Sequence, residues 1–124
     1  MDVLLVEDEP VMAITASRRL SKFDIEVEHV GSGEKALEKV SNQNYDLILM
    51  DIGLPGIDGI ETTKRIREAN KGIIIIALSA NYEGSVIEQC RAAGMNSGLM
   101  KPLNDSKIKE ILDEYFPEIY TKIK

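Results

Sequence analysis

Acidic residues stand directly after two apolar segments of this 124-residue sequence, and a serine and a lysine follow two others. The acidic residues are Glu7-Asp8-Glu9 and Asp51, and the other two are Ser79 and Lys101. Carboxylates that lie close together raise one another's pKa unless a cation is present. If these groups meet in the fold, they suit a hard divalent ion such as Mg²⁺, which accepts one or two carboxylates and a substrate phosphate.

Asp51 is the candidate nucleophile of this set. It ends an apolar run and precedes Ile52-Gly-Leu-Pro-Gly56, whose glycines and proline predict a turn and a solvent-facing Asp51 side chain. An aspartate is ionised at neutral pH and attacks a phosphoryl group without a general base. Phosphoryl transfer also needs charge stabilisation in its loose transition state, and Mg²⁺, Lys101 and the Ser79 hydroxyl are suited to supply it.

Each of these residues has an ordinary structural explanation when it is taken alone. Asp51 would start a turn or cap a helix, and Glu7-Asp8-Glu9 would be a solvated acidic cap at a helix N-terminus. Ser79 would be a turn residue, and Lys101 an exposed charge at a strand end. Only the four positions together indicate a functional site, so the prediction depends on a fold that brings them together.

Apolar runs of strand length alternate with helical patterns along the chain, which predicts an α/β fold with five strands and five helices, (βα)₅. Continuous apolar runs are typical of parallel strands that are buried on both faces. The predicted strands are Val3–Val6, Ile25–Val30, Asp46–Met50, Ile73–Ala77 and Gly98–Met100. Open parallel sheets bind ligands at the carboxyl ends of their strands, so the four positions are expected at one edge of the sheet.

The helices are predicted from apolar residues at helical spacing. Val11 and Ile14 mark the first helix, and the clearest pattern marks the last one, with Ile108, Ile111, Leu112, Tyr115 and Phe116. The candidate helix ends are Ser32 before the second helix, Gly94 after the fourth and Asn104-Asp105-Ser106 before the fifth.

Length and composition predict one globular domain over residues 1–124, with 44% hydrophobic residues for its core. The net charge of −6 leaves no broad basic surface, so contact with nucleic acid or with a membrane is not expected of this domain. No apolar run is long enough to span a bilayer, and the first residues lack the features of a signal peptide, so a cytoplasmic location is expected. A membrane-anchored parent protein is compatible with this expectation.

Four motifs in this order and spacing resemble the response-regulator receiver family of two-component phosphorelays, and they cover essentially the whole chain. They are LLVEDEP, LILMDIGLPGIDGIE, IIALSAN and GLMKPL. The resemblance implies a doubly wound, flavodoxin-like fold with a five-stranded parallel sheet in the order 2-1-3-4-5 and helices on both faces.

The resemblance also implies residue roles. Asp51 is implied to be the phosphoacceptor, and Glu7 and Asp8 match the family's acidic pair. In the family scheme Asp8 contacts Mg²⁺ directly, Glu7 acts through water, and the backbone carbonyl of Gly53 completes the metal site. Ser79 matches the switching hydroxyl, and Lys101 matches the lysine of the family motif.

One position departs from the family pattern. The family often has Tyr or Phe three residues before the lysine, and this sequence has Gly98. A receiver that only passes its phosphoryl group onward does not need this aromatic switch, and the segment Ala93-Gly-Met-Asn is similar to receivers of hybrid sensor kinases. The implied partner is a histidine kinase or a histidine phosphotransfer domain that supplies phosphohistidine, and a weak dimer is compatible with the resemblance.

Other functional classes are weighed against this hypothesis. A haloacid-dehalogenase-type phosphatase needs a second acid two residues after the nucleophile, where this chain has Gly53. A stand-alone response regulator and a docking module that needs no phosphorylation both remain open. An isolated domain of this kind would catalyse only its own phosphorylation and dephosphorylation, so the sequence leaves open whether the parent protein is an enzyme.

Overall fold

The computed structural model describes residues 1–69 and 72–118, in which five strands alternate with five helices. The strands are β1 (Asp2–Val6), β2 (Glu26–Val30), β3 (Leu47–Asp51), β4 (Ile74–Ser79) and β5 (Ser97–Met100). The helices are α1 (Pro10–Ser21), α2 (Gly33–Asn42), α3 (Gly59–Ala69), α4 (Ser85–Ala93) and α5 (Asp105–Tyr115). None of the helices in these two ranges has the length and apolar character needed to cross a membrane.

The strands form a parallel sheet in the order β2-β1-β3-β4-β5, which confirms the predicted order. Its register aligns the ends of the inner strands, with Val6 beside Met50 and Asp51 beside Leu78. Ser79 ends β4 beside Met100, the last residue of β5. The loops that follow β1, β3, β4 and β5 therefore leave the sheet at one edge.

Hydrophobic clusters on the two faces of the sheet explain why the strand sequences are continuously apolar. Successive β1 residues point to opposite faces, so Leu5 packs with α1 and α5 while Leu4 packs with the α2, α3 and α4 side. The predicted helices on both faces are confirmed.

The helix ends that were predicted from local sequence are confirmed. The Ser32 hydroxyl accepts a hydrogen bond from the Lys35 amide at 3.2 Å, which caps α2. Asn104 caps α5 in the same way. Gly94 ends α4 with φ 108°, a left-handed conformation that glycine adopts without steric cost.

The face of α1 that meets the sheet differs from the one marked by its largest apolar residues. Val11 and Ile14 are 68% and 55% exposed, whereas Ala13, Ala16 and Leu20 are buried. Small side chains bring this helix close to the sheet and leave the longer ones outside. The first helix was predicted correctly, but its two marker residues do not belong to the core.

Candidate functional site

The carboxyl ends of the strands bring the predicted site residues to one open cleft of about 640 Å³. Its lining includes Glu7, Asp8, Asp51, Gly53, Ser79 and Lys101. These residues come from the ends of β1, β3, β4 and β5, and the parallel order of the strands is what makes them neighbours. All six predicted positions thus lie in one place.

Asp51 is the last residue of β3, and it is only 5% exposed. The prediction that its side chain faces solvent is therefore wrong. Neighbouring polar groups surround the carboxylate: the Gly53 amide donates to its Oδ1 at 3.0 Å, and Lys101 Nζ lies 3.1 Å from its Oδ2. These charge-assisted contacts offset the cost of removing the carboxylate from water.

Lys101 connects Asp51 with a second buried carboxylate. Its Nζ lies 2.9 Å from Glu7 Oε1, and its side chain is 17% exposed. Burial by itself lowers the pKa of Lys101, but the hydrogen bonds to Glu7 and Asp51 outweigh it and raise the pKa above the usual value. Lys101 therefore stays protonated between the two acids. Its peptide bond to Pro102 is cis.

Glu7 is 3% exposed, and burial raises the pKa of its carboxyl. The contact with Lys101 acts in the opposite direction, while the neighbouring Asp51 raises this pKa further. The Glu9 amide donates to Glu7 Oε2 at 3.2 Å. The Glu7 carboxylate thus has partners on both oxygens, and the balance of its surroundings raises its pKa above the usual value.

Three acidic residues meet at the mouth of the cleft. Glu7, Asp8 and Asp51 each offer one carboxylate oxygen, and these oxygens lie within 4.8 Å of one another. Asp8 is exposed, so the cluster opens to solvent on its side. Glu9 is not part of it, because its side chain caps α1 by accepting from the Val11 amide. Oxygen donors at this spacing fit Mg²⁺.

Ser79 is 8% exposed at the end of β4. Its hydroxyl accepts a hydrogen bond from the Asn81 amide at 3.1 Å, and its carbonyl accepts one from the Lys101 amide at 2.8 Å. The backbone bond ties the strand end that carries the hydroxyl to the strand end that carries the lysine.

Gly98 has an aromatic neighbour that sequence reasoning missed. A Cβ atom built on Gly98 would lie 2.3 Å from the ring of Tyr82, which is partly buried in the loop between β4 and α4. The Tyr82 ring therefore covers this part of β5, although Tyr82 belongs to the loop that follows β4. No spacing rule in the sequence indicates this contact, since residues 82 and 98 meet only through the pairing of β4 with β5.

A family model described as the response regulator receiver domain matches residues 3–113. The chain therefore belongs to the response-regulator receiver family, whose members are the phosphoacceptor domains of two-component systems. Among curated proteins, it is 34% identical to the sensor protein EvgS of Escherichia coli over 92% of its own length. It is 38% identical over 90% of its length to the autoinducer 2 sensor kinase/phosphatase LuxQ of Vibrio vulnificus. It spans 10% and 13% of these two proteins.

Solved structures agree with this assignment. The receiver domain of the sensor histidine kinase PA1611 from Pseudomonas aeruginosa, which holds a magnesium ion in its active site cleft, matches with a TM-score of 0.84 and 38% identity. That match covers 92% of this chain and 95% of the other. The Vibrio cholerae chemotaxis protein CheY4 matches with a TM-score of 0.87 and 26% identity, covering 93% and 98% of the two chains. This chain is thus homologous to the receivers of sensor kinases.

Proposed function

We propose that Asp51 is the phosphoacceptor and that it takes its phosphoryl group from a phosphohistidine. One Asp51 carboxylate oxygen forms a bond to phosphorus while the bond between phosphorus and the histidine nitrogen breaks. The nitrogen keeps the electron pair and the imidazole leaves in its neutral form after protonation, so the product is an aspartyl phosphate. The observation that carries this proposal is a buried carboxylate between the Gly53 amide and Lys101, at the end of a strand that opens into the cleft.

Lys101 and Ser79 have separate roles in this proposal. Lys101 Nζ, a protonated group next to Asp51, attracts the phosphoryl oxygens and stabilises the charge that develops on them. The Ser79 hydroxyl lines the same cleft. It accepts from the Asn81 amide, and it can donate its own proton to one of those phosphoryl oxygens. Replacement of Ser79 by Ala should slow phosphorylation while Mg²⁺ binding is retained.

The proposed metal ligands are the carboxylates of Glu7, Asp8 and Asp51 and the backbone carbonyl of Gly53. The convergence of these three carboxylates supports this set. Glu7 and Asp51 both contact Lys101, and Asp8 is the exposed member. In family terms Asp8 is the direct ligand and Glu7 acts through water. When bound, Mg²⁺ would reduce the negative charge that the cluster and the incoming phosphoryl group bring together.

The proposed donor is the phosphohistidine of a histidine kinase or histidine phosphotransfer domain, and the proposed parent is a hybrid sensor kinase. Sensor kinases such as EvgS and LuxQ are among the relatives that match this chain, which spans about a tenth of the length of these two proteins. The exposed Val11 and Ile14 of α1, close to the cleft residue Met12, offer an apolar surface for a protein donor. A cytoplasmic location, a weak dimer and the lack of nucleic-acid or membrane contacts stay predictions.

A stand-alone response regulator is the second candidate, and the match to nearly the whole of CheY4 favours it. The two candidates differ in their output. A receiver that relays its phosphoryl group should exchange it rapidly with a phosphotransfer histidine and dimerise little, whereas strong phosphorylation-dependent dimerisation would contradict the hybrid-kinase origin. Analytical ultracentrifugation of the phosphorylated and unphosphorylated chain distinguishes them.

Mass measurement after incubation with acetyl phosphate tests the phosphoacceptor role. The native chain should gain one phosphoryl group in the presence of Mg²⁺ only, and the modification should be labile to base. Asp51→Asn should gain none. Asp58→Asn is the matched control, because Asp58 follows in the next loop and caps α3 by accepting from the Glu61 amide at 2.8 Å. No gain in the native chain would leave the docking-module alternative as the better explanation.

A further inference from the structure

Lys107 stands in the first turn of α5, where a positive charge opposes the helix dipole. Its Nζ donates to the carbonyl of Met100 at 2.7 Å and to the carbonyl of Pro102 at 3.1 Å. These two carbonyls belong to the residues directly before and after Lys101. The unfavourable helix position is thus explained by contacts outside the helix.

The two hydrogen bonds hold the segment that carries Lys101. Met100 is the last residue of β5 and is 44% exposed. The segment that carries Lys101 runs from there to Asp105, the first residue of α5. The Lys107 amide is itself bonded to the Asn104 side chain at 2.8 Å, so the backbone of Lys107 is fixed by the helix cap. The ammonium group therefore connects a rigid helix end to both sides of residue 101.

We infer that Lys107 is a positioning residue for the phosphoryl-transfer reaction: by binding the carbonyls of Met100 and Pro102, it orients Lys101 toward Asp51 and Glu7. This inference rests on the proposed function of Lys101. Lys107 acts through Lys101, so its loss lowers the maximal rate. The charge of Lys101 stays in the site, so the affinity of the acidic cluster for Mg²⁺ should change less than the rate does. Small displacements of a charge-stabilising group are sufficient for such an effect.

The test compares Lys107→Met, which keeps the aliphatic stem, with Lys107→Arg, which keeps the charge and the donors. Lys109→Met is the matched control, since Lys109 is an exposed lysine of the same helix. We expect the maximal rate of phosphorylation by acetyl phosphate to fall on the order of five- to tenfold in Lys107→Met. The half-saturating Mg²⁺ concentration should change by a smaller factor than the rate, and Lys107→Arg should recover most of the rate.

A spectroscopic signature separates positioning from general stability. The NMR resonance of the Lys101 ε-methylene group can be assigned through Lys101→Arg. It should shift in Lys107→Met and stay in place in Lys109→Met. The melting temperatures of these two methionine variants should agree within about 2 °C. Equal rates for the two methionine variants would overturn the inference, as would a rate loss that is matched by an equal loss of Mg²⁺ affinity. If the native chain is not phosphorylated at all, the proposed function fails and this inference fails with it.

Discussion

Lys101 is the residue on which the electrostatic balance of the cleft depends. Its ammonium group contacts Glu7 at 2.9 Å and Asp51 at 3.1 Å, and both carboxylates are almost fully buried. Buried acids without a partner strongly destabilise a fold. Removal of one partner of a buried ion pair costs roughly 3–5 kcal/mol. A compact ammonium is suited to this place because it can approach two acids at once. Lys101 thereby holds the Asp51 carboxylate in a fixed orientation at the edge of the cleft.

Gly98 and Tyr82 should be energetically coupled. In Gly98→Ala the new methyl group would displace the Tyr82 ring, because its position lies 2.3 Å from ring atoms. We expect a loss of about 1–2 kcal/mol in the free energy of unfolding. In a Tyr82→Ala background the same change should cost less than about 0.5 kcal/mol, and urea unfolding of the four proteins measures the coupling.

Gly31→Ala is the control for this cycle, because nothing lies within 4 Å of a Cβ atom at Gly31. It should change the stability little in either background. Additive effects of Gly98→Ala and Tyr82→Ala would show that the ring moves away freely, and Tyr82 would then not restrain the loop that follows Ser79.

At the scale of elements, α1 combines two tasks. Its small residues pack on the sheet, while Ile14, two residues after the cleft-lining Met12, remains 55% exposed. We expect Ile14→Ser to slow phosphoryl transfer from any phosphohistidine protein that phosphorylates the native chain. The rate should fall about five- to tenfold, which corresponds to the loss of an interface contact of about 1–1.4 kcal/mol. Phosphorylation by acetyl phosphate should be unchanged, because that donor needs no protein contact.

Ile87→Ser on α4 is the matched control for the docking prediction, since Ile87 is a half-buried isoleucine outside the cleft lining. Radiolabelled transfer assays with both donors give the comparison directly. If Ile14→Ser slowed both donors equally, the variant would have changed the site itself, and α1 would not be a docking surface.

The turn between α2 and β3 is joined to β2 by a polar cluster far from the cleft. The Tyr45 hydroxyl donates to Glu28 at 2.7 Å, and Gln43 and Lys39 also contact this group of residues. Burial and then the hydrogen bond to Glu28 raise the pKa of Tyr45 to about 12. The protonated phenol is therefore favoured in the folded state.

This shift predicts a loss of stability at high pH. Since the unfolded phenol titrates near pH 10 and the folded one near 12, the stabilisation is complete below about pH 10 and disappears as the pH rises to about 12. We expect the difference in unfolding free energy between the native chain and Tyr45→Phe to shrink over this range. Urea unfolding of both proteins at intervals between pH 9 and 12 measures it, and a constant difference would contradict the prediction.

The elements themselves were largely predictable from the sequence, because their signals are local. Apolar runs marked the strands, and the caps at Ser32, Gly94 and Asn104 depend on residues within one helical turn. The parallel order of the strands then made it possible to predict that acidic and basic residues from four strand ends would meet.

What could not be predicted depends on contacts between distant segments. The burial of Asp51 results from Lys101, which is fifty residues away in sequence, and the Tyr82 ring reaches Gly98 only through the pairing of β4 with β5. The face of α1 was misjudged because alanine is a weak hydrophobic signal, yet close packing on a sheet favours it. Lys107 gave no signal either, since its partners are backbone carbonyls.

At the scale of the whole molecule, the charge of −6 makes cation binding a source of stability. At a Mg²⁺ concentration of about ten times its dissociation constant, binding should raise the free energy of unfolding by about 1.4 kcal/mol. For a domain of this size the melting temperature should rise by about 3–6 °C. Thermal unfolding followed by circular dichroism, with and without Mg²⁺, measures the change.

Asp8→Asn is the informative variant in this measurement. It removes one of three clustered carboxylates, so without Mg²⁺ it should be at least as stable as the native chain. With Mg²⁺ it should lose most of the gain. Na⁺ at equal ionic strength controls for general screening, and an equal gain in the native chain and the variant would show that Mg²⁺ acts elsewhere.

The strand order also determines how the molecule behaves when it is crowded. Within residues 1–69 and 72–118, β2 and β5 are the outer strands of the sheet, and the backbone groups of an outer strand can recruit a strand from another chain. β2 carries the exposed Glu26, so two such edges would repel each other, and β5 has only four residues and contains Gly98. Both edges are therefore poor templates for strand addition. The apolar strands β1, β3 and β4 lie in the centre of the sheet, where they cannot pair with another chain.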